Sequence, residues 1–485
     1  MKIYKNLILG ALAVFAVSCE DAIDIEQVGL LGADNALQTT NDLQDALSAA
    51  YNRLDTTPEI HFNAVFTDEI RIAYSNGGQG QSLYRQQFNS GAAGPSALWT
   101  RNYQGITRAT RIIEAAADID SDDQAAEDRI VGQAHAIRAF LHLQLLQYYS
   151  TDLTDPTTLG VPVIDFVANT GLAPLRNTTG ETFTAIFTDL DAANGLIDTQ
   201  SSSTFFSKDS VNALKARAYA YSGDYGNAVT YANSLLTSYP LGTPAQYDAM
   251  IADTGNTEVI MKLERTINDS YDGQGATGSS SAGGWNGASF AFSGPDLNGG
   301  PYYEMATNLW FAYDAADLRR DNNGIEFSNV AEAGRDVFIV NKYRGSEGQP
   351  LMNDQKILRS SEMLLILAEA RANAGDAPGV AGLIDDLRDS RFGADQATPA
   401  YANITEAWGA IVDERRLEFA FEGRRYVDLR RLGSLGNRGI DRANMDCAPF
   451  AACDLALSDF RFNWPIPLSE FNGNPGLRAQ QNPGY

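Results

Sequence analysis

A chain of 485 residues is longer than one simple hydrophobic core usually carries, so two domains or one large composite domain are expected. Its 44% hydrophobic and 20% charged content is that of a globular protein and excludes a disordered one. With 61 acids against 36 bases and a net charge of -25, the surface repels phosphates. That argues against nucleic acid as a partner, and against polyanions wherever no local basic patch compensates.

Lys2 and Lys5 precede an apolar stretch from Leu7 to Val17, which has the length and flank of a secretory segment. Residues 1-18 are read as a signal peptide. The stretch ends in "AVSC", which resembles the lipobox of bacterial lipoproteins, with Ala16 where leucine is commonest. The resemblance implies that Cys19 becomes a lipidated N-terminus, held to a membrane by acyl chains at about 0.8 kcal/mol per buried CH₂. Residues 19-40 follow as an acidic leader. No later run approaches the roughly 20 apolar residues that span a bilayer.

In "TTNDLQDALSAAYNRL", Leu43, Leu47, Ala50 and Leu54 recur at helical spacing behind a cap at Asn41 or Thr40. "RNYQGITRATRIIEAAADI" and "DRIVGQAHAIRAFLHLQLLQYYS" repeat the pattern, the second placing Ile130, Ala134, Ile137, Leu141, Leu145 and Tyr148 on one face. Val211 to Pro240 and Met363 to Arg391 form an approximate repeat. Each is an alanine-rich helix, a turn at Gly223-Asp224 or Gly375-Asp376, and a second apolar-periodic helix. This is the helical pair of tetratricopeptide-like repeats, which stack to bury faces that none buries alone.

Between the repeats, Thr266 to Tyr303 is dense in Gly, Ser, Asn and Asp, a composition that no helix survives. Its aromatics, Tyr271, Trp285, Phe290, Phe292, Tyr302 and Tyr303, favour a binding loop over plain disorder. Near the C-terminus, Cys447 and Cys453 stand six apart, and a local disulfide is expected in an exported protein.

Catalytic and metal motifs are sparse. "GQGATG" at Gly273 to Gly278 does not open a helix, as a dinucleotide fingerprint must. "DIDSDD" at Asp118 to Asp123 lacks the glycine and glutamate of a calcium loop. His135 and His142 are seven apart on one helix, about 10 Å along its axis, too far to share an ion. Neither cofactor nor metal is expected. Asp68-Glu69 offers carboxylates for glycoside hydrolysis, but a polar turn or a ligand hydrogen bond is the better reading of such a pair in a chain with 61 acids.

"LRSSEMLLILAEARANAG", "ERRLEFAFEGRRYVDLRR" and the ending "WPIPLSEFNGNPGLRAQQNPGY" resemble the ordered motifs of the SusD/RagB family of outer-membrane nutrient-binding lipoproteins. The resemblance implies a mainly α fold, with a tetratricopeptide-like scaffold, a long loop-rich ligand face and few short strands. It gives one domain over 41-485. Helical repeats occupy about 41-250 and 356-430, the ligand-face segment about 251-355, and the family's C-terminal segment 431-485. Arg359, Glu362, Glu414, Arg415, Glu418, Glu422 and Arg424 sit among apolar residues in these motifs, where a buried guanidinium needs a carboxylate. They are read as structural.

The resemblance further implies a non-catalytic protein, lipid-anchored on the outward face of the outer membrane. Such a protein captures an oligosaccharide and passes it to a SusC-like TonB-dependent transporter. Peptides or another nutrient, and more distantly a surface glycoside hydrolase, are the alternatives. The negative charge favours a neutral glycan such as a β-glucan over an anionic one such as alginate. Sugar faces stack on exposed rings beside Asn, Asp or Arg hydrogen-bonding groups. Trp285, in "SAGGWNGAS" with no evident core neighbours, is the first candidate. Trp99 and Asn102 at the mouth of a helix, Tyr302 and Tyr303, then Asp68, Arg71 and Tyr74, complete the set. Trp310, Trp408 and Trp464 are assigned to packing.

Overall fold

The computed structural model describes residues 36–121, 123–167, 171–267, 285–291, 300–327 and 336–485. Cys19, the signal peptide, the leader to residue 35, Tyr271 and Phe292 lie outside the described residues.

Helix α1 (Thr40–Tyr51) is started by a reciprocal capping box between Thr39 and Asp42, one residue before the cap expected from sequence, and buries Leu43, Leu47 and Ala50. Helix α2 (Thr57–Phe66) is buried on every side. Two long helices follow, α3 (Ala93–Ala116) and α4 (Gln124–Tyr149), with α4 almost wholly buried beyond its first turns. Then come α5 (Thr179–Leu196), α6 (Lys208–Tyr221), α7 (Tyr225–Ser238) and α8 (Pro244–Ile251). The central segment supplies the short helices α9 (Thr307–Ala312) and α10 (Leu318–Asn323). The scaffold closes with α11 (Ser360–Asn373), α12 (Ala377–Phe392) and α13 (Ile404–Glu418).

The two expected helical pairs form with the same turn. Gly223 and Gly375 adopt φ of +80° and +77°, which an L side chain rarely tolerates. The aspartate after each caps the second helix, Asp224 through Asn227 N and Asp376 through Gly379 N. Helix α11 packs on α6, α7, α12 and α13, so the pairs interlock across the chain.

Strands β1 (Ile70–Ile72), β3 (Tyr303–Met305), β5 (Val337–Val340) and β4 (Gly324–Phe327) form an antiparallel sheet in that order, with Ile72 opposite Tyr303 and Glu304 opposite Ile339. Strands β2 (Val259–Leu263) and β8 (Gln355–Arg359) pair as a ribbon leading into α11, and β6 (Gly345–Ser346) and β7 (Gln349–Pro350) form a small hairpin. Alternation along β5 divides the packing: Phe338 and Val340 face the cluster containing Ile60, Val65 and Met305, while Val337 and Ile339 face Ala291 and Leu351. Helix α2 is the seam, giving Phe62 and Phe66 to the helical core and Ile60, Ala64 and Val65 to the core beneath the sheet.

Buried ion pairs lock the sheet-bearing segment to the scaffold. Glu418 accepts from Arg391 at 2.9 Å and Arg359 at 2.8 Å, and lies 3.2 Å from Arg319. Arg391 also forks onto Glu258 with two bonds of 2.8 Å. Arg319 reaches Glu414 at 2.7 Å, and Arg359 reaches Glu422 at 2.9 Å. Arg217 and Arg424 meet Glu362, and Arg415 lies 2.9 Å from Asp428. Removing one partner from such a set strands an uncompensated buried charge. The motif residues read as structural are placed accordingly.

The "QNPGY" ending wraps the end of α4. Asn482 donates to Tyr149 O at 2.8 Å and Trp464 O at 2.7 Å, and accepts from Arg176 at 2.9 Å. Cys447 and Cys453 form the expected disulfide. Among the described residues no helix is long and apolar enough to cross a membrane.

Candidate functional site

The sheet's rim carries the exposed rings. Beyond β1 the chain makes a short helical turn at Tyr74–Asn76. Asn76 donates to Tyr302 O at 3.0 Å and Gln79 O at 2.9 Å, and Ala73 N donates to Tyr302 O at 3.2 Å. This bonding fixes the backbone under Tyr74, whose side chain is 76% exposed. At the other end of the sheet α9 buries Leu309 and Trp310, so Phe311 points outward and is 72% exposed. The Phe311 ring stands edge-on to Phe338 at 5.9 Å, and Trp310 stacks on Phe338 at 5.0 Å beneath the Arg320 guanidinium.

Arg71 braces that end. Its guanidinium lies 4.7 Å from the Phe338 ring centre. It forks onto Glu304, with one bond of 2.8 Å, and donates to Thr307 Oγ1 at 2.8 Å and Asp336 O at 2.6 Å. Asp446 accepts from Thr307 N and Oγ1, both at 2.9 Å.

Trp285 covers the outer face of β5. It is half-buried against Ala291, Val337, Ile339 and Leu351, and its Nε1 lies 3.4 Å from Thr266 O. The expectation that this ring lacks core neighbours is therefore corrected: the loop folds over a strand that its own composition gave no reason to place there. Asn286, the next residue, accepts from Thr57 Oγ1 at 2.9 Å and Gln355 Nε2 at 2.8 Å. Both belong to a buried hub around Asp55, which Arg101 reaches at 3.0 Å and Arg265 at 3.2 Å.

The other candidates lie inside. Trp99 is 3% exposed, packed on Tyr103 and Tyr149 with centroids 4.8 and 4.9 Å away. Asn102 is buried between α3 and α4, 3.2 Å from Gln144 Oε1. Tyr302 and Tyr303 belong to the core under the sheet. Asp68 accepts two bonds of 2.8 Å from Arg425 and lies 3.4 Å from Arg416. Arg71 is consumed by Glu304 and its neighbours. Of the eight residues expected at a ligand face, the structure exposes Tyr74 and part of Trp285 and buries the rest. The apolar neighbours and counter-charges that bury them come from distant parts of the chain, beyond the reach of local composition. Phe311 was missed, although Leu309 and Trp310 inside the same helical turn mark the face opposite it.

Asp68 and Glu69 do not form an accessible acid pair. Burial alone would raise Asp68, but Arg416 and Arg425 hold it well below the usual carboxylate range. Burial pushes Glu69 up to about 8, and its Oε1 accepts from Phe421 N at 2.9 Å.

A separate cleft of about 820 Å³ along α3 is lined by Trp99, Tyr103, Leu172, Pro174, Arg53 and Arg108. Burial and the nearby Arg53 charge both lower the Arg108 pKa. Glu470 closes one end, raised by burial and bonded by the Trp99 side chain.

The SusD family profile matches residues 216–485, and a second, described as starch-binding associating with outer membrane, matches residues 32–220. SusD-like protein P2 of Formosa agariphila is 26% identical over 542 residues, covering 100% of both chains. Among solved structures, a SusD superfamily protein from Bacteroides vulgatus superposes with a TM-score of 0.76 at 22% identity, over 92% of this chain and 99% of that one. A laminarin binding SusD-like protein superposes with a TM-score of 0.69 at 20% identity, over 92% of this chain and 100% of that one. These two likenesses establish a shared fold.

Proposed function

The chain belongs to the SusD family, and on that premise we propose that it captures an oligosaccharide at the rim of its sheet and leaves it chemically unchanged. The observation that carries the reading is the pair of exposed rings, Tyr74 on a hydrogen-bonded turn and Phe311 edge-on to Phe338. A ring with few freedoms left to lose is suited to stacking on a sugar's C-H face. Trp285 contributes the part of its indole that β5 leaves uncovered. Burial of Asp68 and Glu69 supports binding without hydrolysis.

In this reading Cys19 carries the lipid that holds the protein at the outward face of the outer membrane, and a SusC-like TonB-dependent transporter receives the sugar. The family profile described as associating with the outer membrane supports that location. A neutral β-glucan is the first ligand to test, in line with the net charge of -25 and with the laminarin named for one structural neighbour.

Titration calorimetry with laminarin oligosaccharides against wild type, Tyr74→Ala and Phe311→Ala tests the site. Each variant is expected to bind about tenfold more weakly with an unchanged melting temperature. Equal affinity in both variants removes the rim from the site, and binding of peptides in place of every glycan in a panel changes the ligand class. Recovery of a TonB-dependent transporter with the detergent-extracted protein tests the partnership.

A further inference from the structure

The first described residues open a groove. Ala36, Leu37 and Gln38 line a depression of about 590 Å³ together with Ala115, Asp118 and Val167. Arg108 and Arg111 line both this depression and the 820 Å³ cleft, so the two make one trough along α3. Gln104, Arg108, Arg111 and Ala115 follow at steps of three and four, one face of the helix, and Asp118 lies just past its end.

The charge in this trough is unlike that of the rest of the molecule. Arg53, just past the end of α1, lies near Arg108, whose pKa is lowered by burial and by the Arg53 charge. Arg108 donates to Ala49 O, and among the described residues neither Arg108 nor Arg111 has an ion-pair partner. Among the described residues, the carboxylates lining the trough are Glu470 in the cleft and Glu114 and Asp118 in the depression. The middle of the trough is a positive, partly apolar surface in a chain of net charge -25.

The segment joined to this trough has the matching chemistry. From Glu20 to Asn35 the chain reads "EDAIDIEQVGLLGADN", with Glu20, Asp21, Asp24, Glu26 and Asp34 and no base, interleaved with Ile23, Ile25, Val28, Leu30 and Leu31. From Ala115 back to Gln104 is about 16 Å of helix, and the twelve residues from Asn35 back to Asp24 reach up to about 40 Å when extended.

We propose that residues 20–35 dock along this trough as a strap, their carboxylates answering Arg53, Arg108 and Arg111 and their apolar side chains covering Leu172, Pro174 and Leu477. The tether then leaves the body at the Glu470 end of α3 instead of at Ala36, which sets how the body stands relative to its point of attachment. The inference rests on the trough and is independent of the sugar reading.

Hydrogen exchange on the full-length protein at low ionic strength tests the strap, because exposed surface charges are screened by salt. Amides from Asp24 to Leu31 are expected to exchange about tenfold more slowly in wild type than in Arg53→Glu/Arg108→Glu/Arg111→Glu. Adding Asp24→Lys/Glu26→Lys/Asp34→Lys to that variant is expected to restore the slow exchange. Coil-like exchange of the leader in wild type, or failure of the reversed charges to restore protection, overturns the proposal. Protection of Gln104 and Arg108 only on adding oligogalacturonate, with the leader at coil rates, also overturns it and assigns the trough to an anionic sugar.

Discussion

The scaffold motifs and the sheet rim use the same residue types for opposite ends. In the scaffold the motif arginines Arg359 and Arg415 and their neighbours Arg319 and Arg391 are buried beside carboxylates, and their value lies in joining segments far apart in sequence. At the rim Arg71 is buried just as completely, yet it positions Phe338, on which the exposed Phe311 ring leans. A charged residue within a recognisable pattern therefore reports how the fold is held. Ligand contact falls to the rings that this holding leaves uncovered.

The largest expected effect breaks the scaffold. Glu418→Ala strands Arg391, Arg359 and Arg319 without their shared carboxylate, and a loss of about 3–5 kcal/mol in unfolding free energy is expected from denaturant titration. A loss below about 1 kcal/mol would mean that the hub does not hold the sheet-bearing segment to the helices.

A pH dependence sharpens the contrast, because at two carboxylates of the seam burial outweighs the compensating charges and hydrogen bonds. Burial pushes Glu59 up to about 7 and Glu69 to about 8, from an ordinary value of 4.5. The folded state then binds more protons than the unfolded chain between about pH 4.5 and 8, and stability falls as pH rises through that window. Glu362 behaves oppositely. Arg217 and Arg424 overcome its burial and hold it down to about 2, so its contribution is present above pH 4.5 and is lost as pH falls toward 2. Glu69→Gln keeps an oxygen for Phe421 N and removes the ionisation. It is expected to flatten the decline between pH 5 and 8 and to stabilise the protein at pH 8 by on the order of 1–3 kcal/mol. An unchanged pH profile would show that Glu69 reaches water.

At the rim the effects move from stability to affinity. Tyr74→Ala and Phe311→Ala are each expected to cost about 1–2 kcal/mol of binding to a cognate oligosaccharide with melting temperatures within about 1 °C of wild type. Trp285→Ala differs from both. Its ring packs on Val337 and Ile339, so a measurable fall in melting temperature accompanies its loss of affinity.

The fold was legible where local pattern determines it. Apolar spacing gave α1, α3 and α4, and the Gly-Asp turns gave both helical pairs, because each of those signals lies within a few residues of what it specifies. The sheet was not legible: β1, β3, β5 and β4 are three or four residues long and drawn from three separate stretches, too short for an alternation to declare itself. The burial of the other candidate residues follows from this. Asp68 needs Arg425, 357 positions away, to become a buried pair, and Trp285 needs β5 to become half-buried. Tyr74 stays exposed because its turn, followed by Gly77, Gly78 and Gly80, needs no distant partner to form.

The smallest expected effect is the most discriminating. Phe205 is 53% exposed and lies edge-on to Tyr51 at 5.3 Å, in the loop before α6 on the helical body. By exposure alone it is as eligible for stacking as Phe311. It lacks a bonded sheet rim beneath it and a second exposed ring across a short ladder, and a sugar spanning several residues gains from both. Phe205→Ala is therefore expected to leave oligosaccharide affinity within about twofold of wild type and to change stability by no more than about 0.5 kcal/mol, measured beside Phe311→Ala under the same conditions. A loss matching that of Phe311→Ala would mean that exposed rings bind wherever they occur, and the distinction between scaffold and rim would fail for the ligand while surviving for the fold.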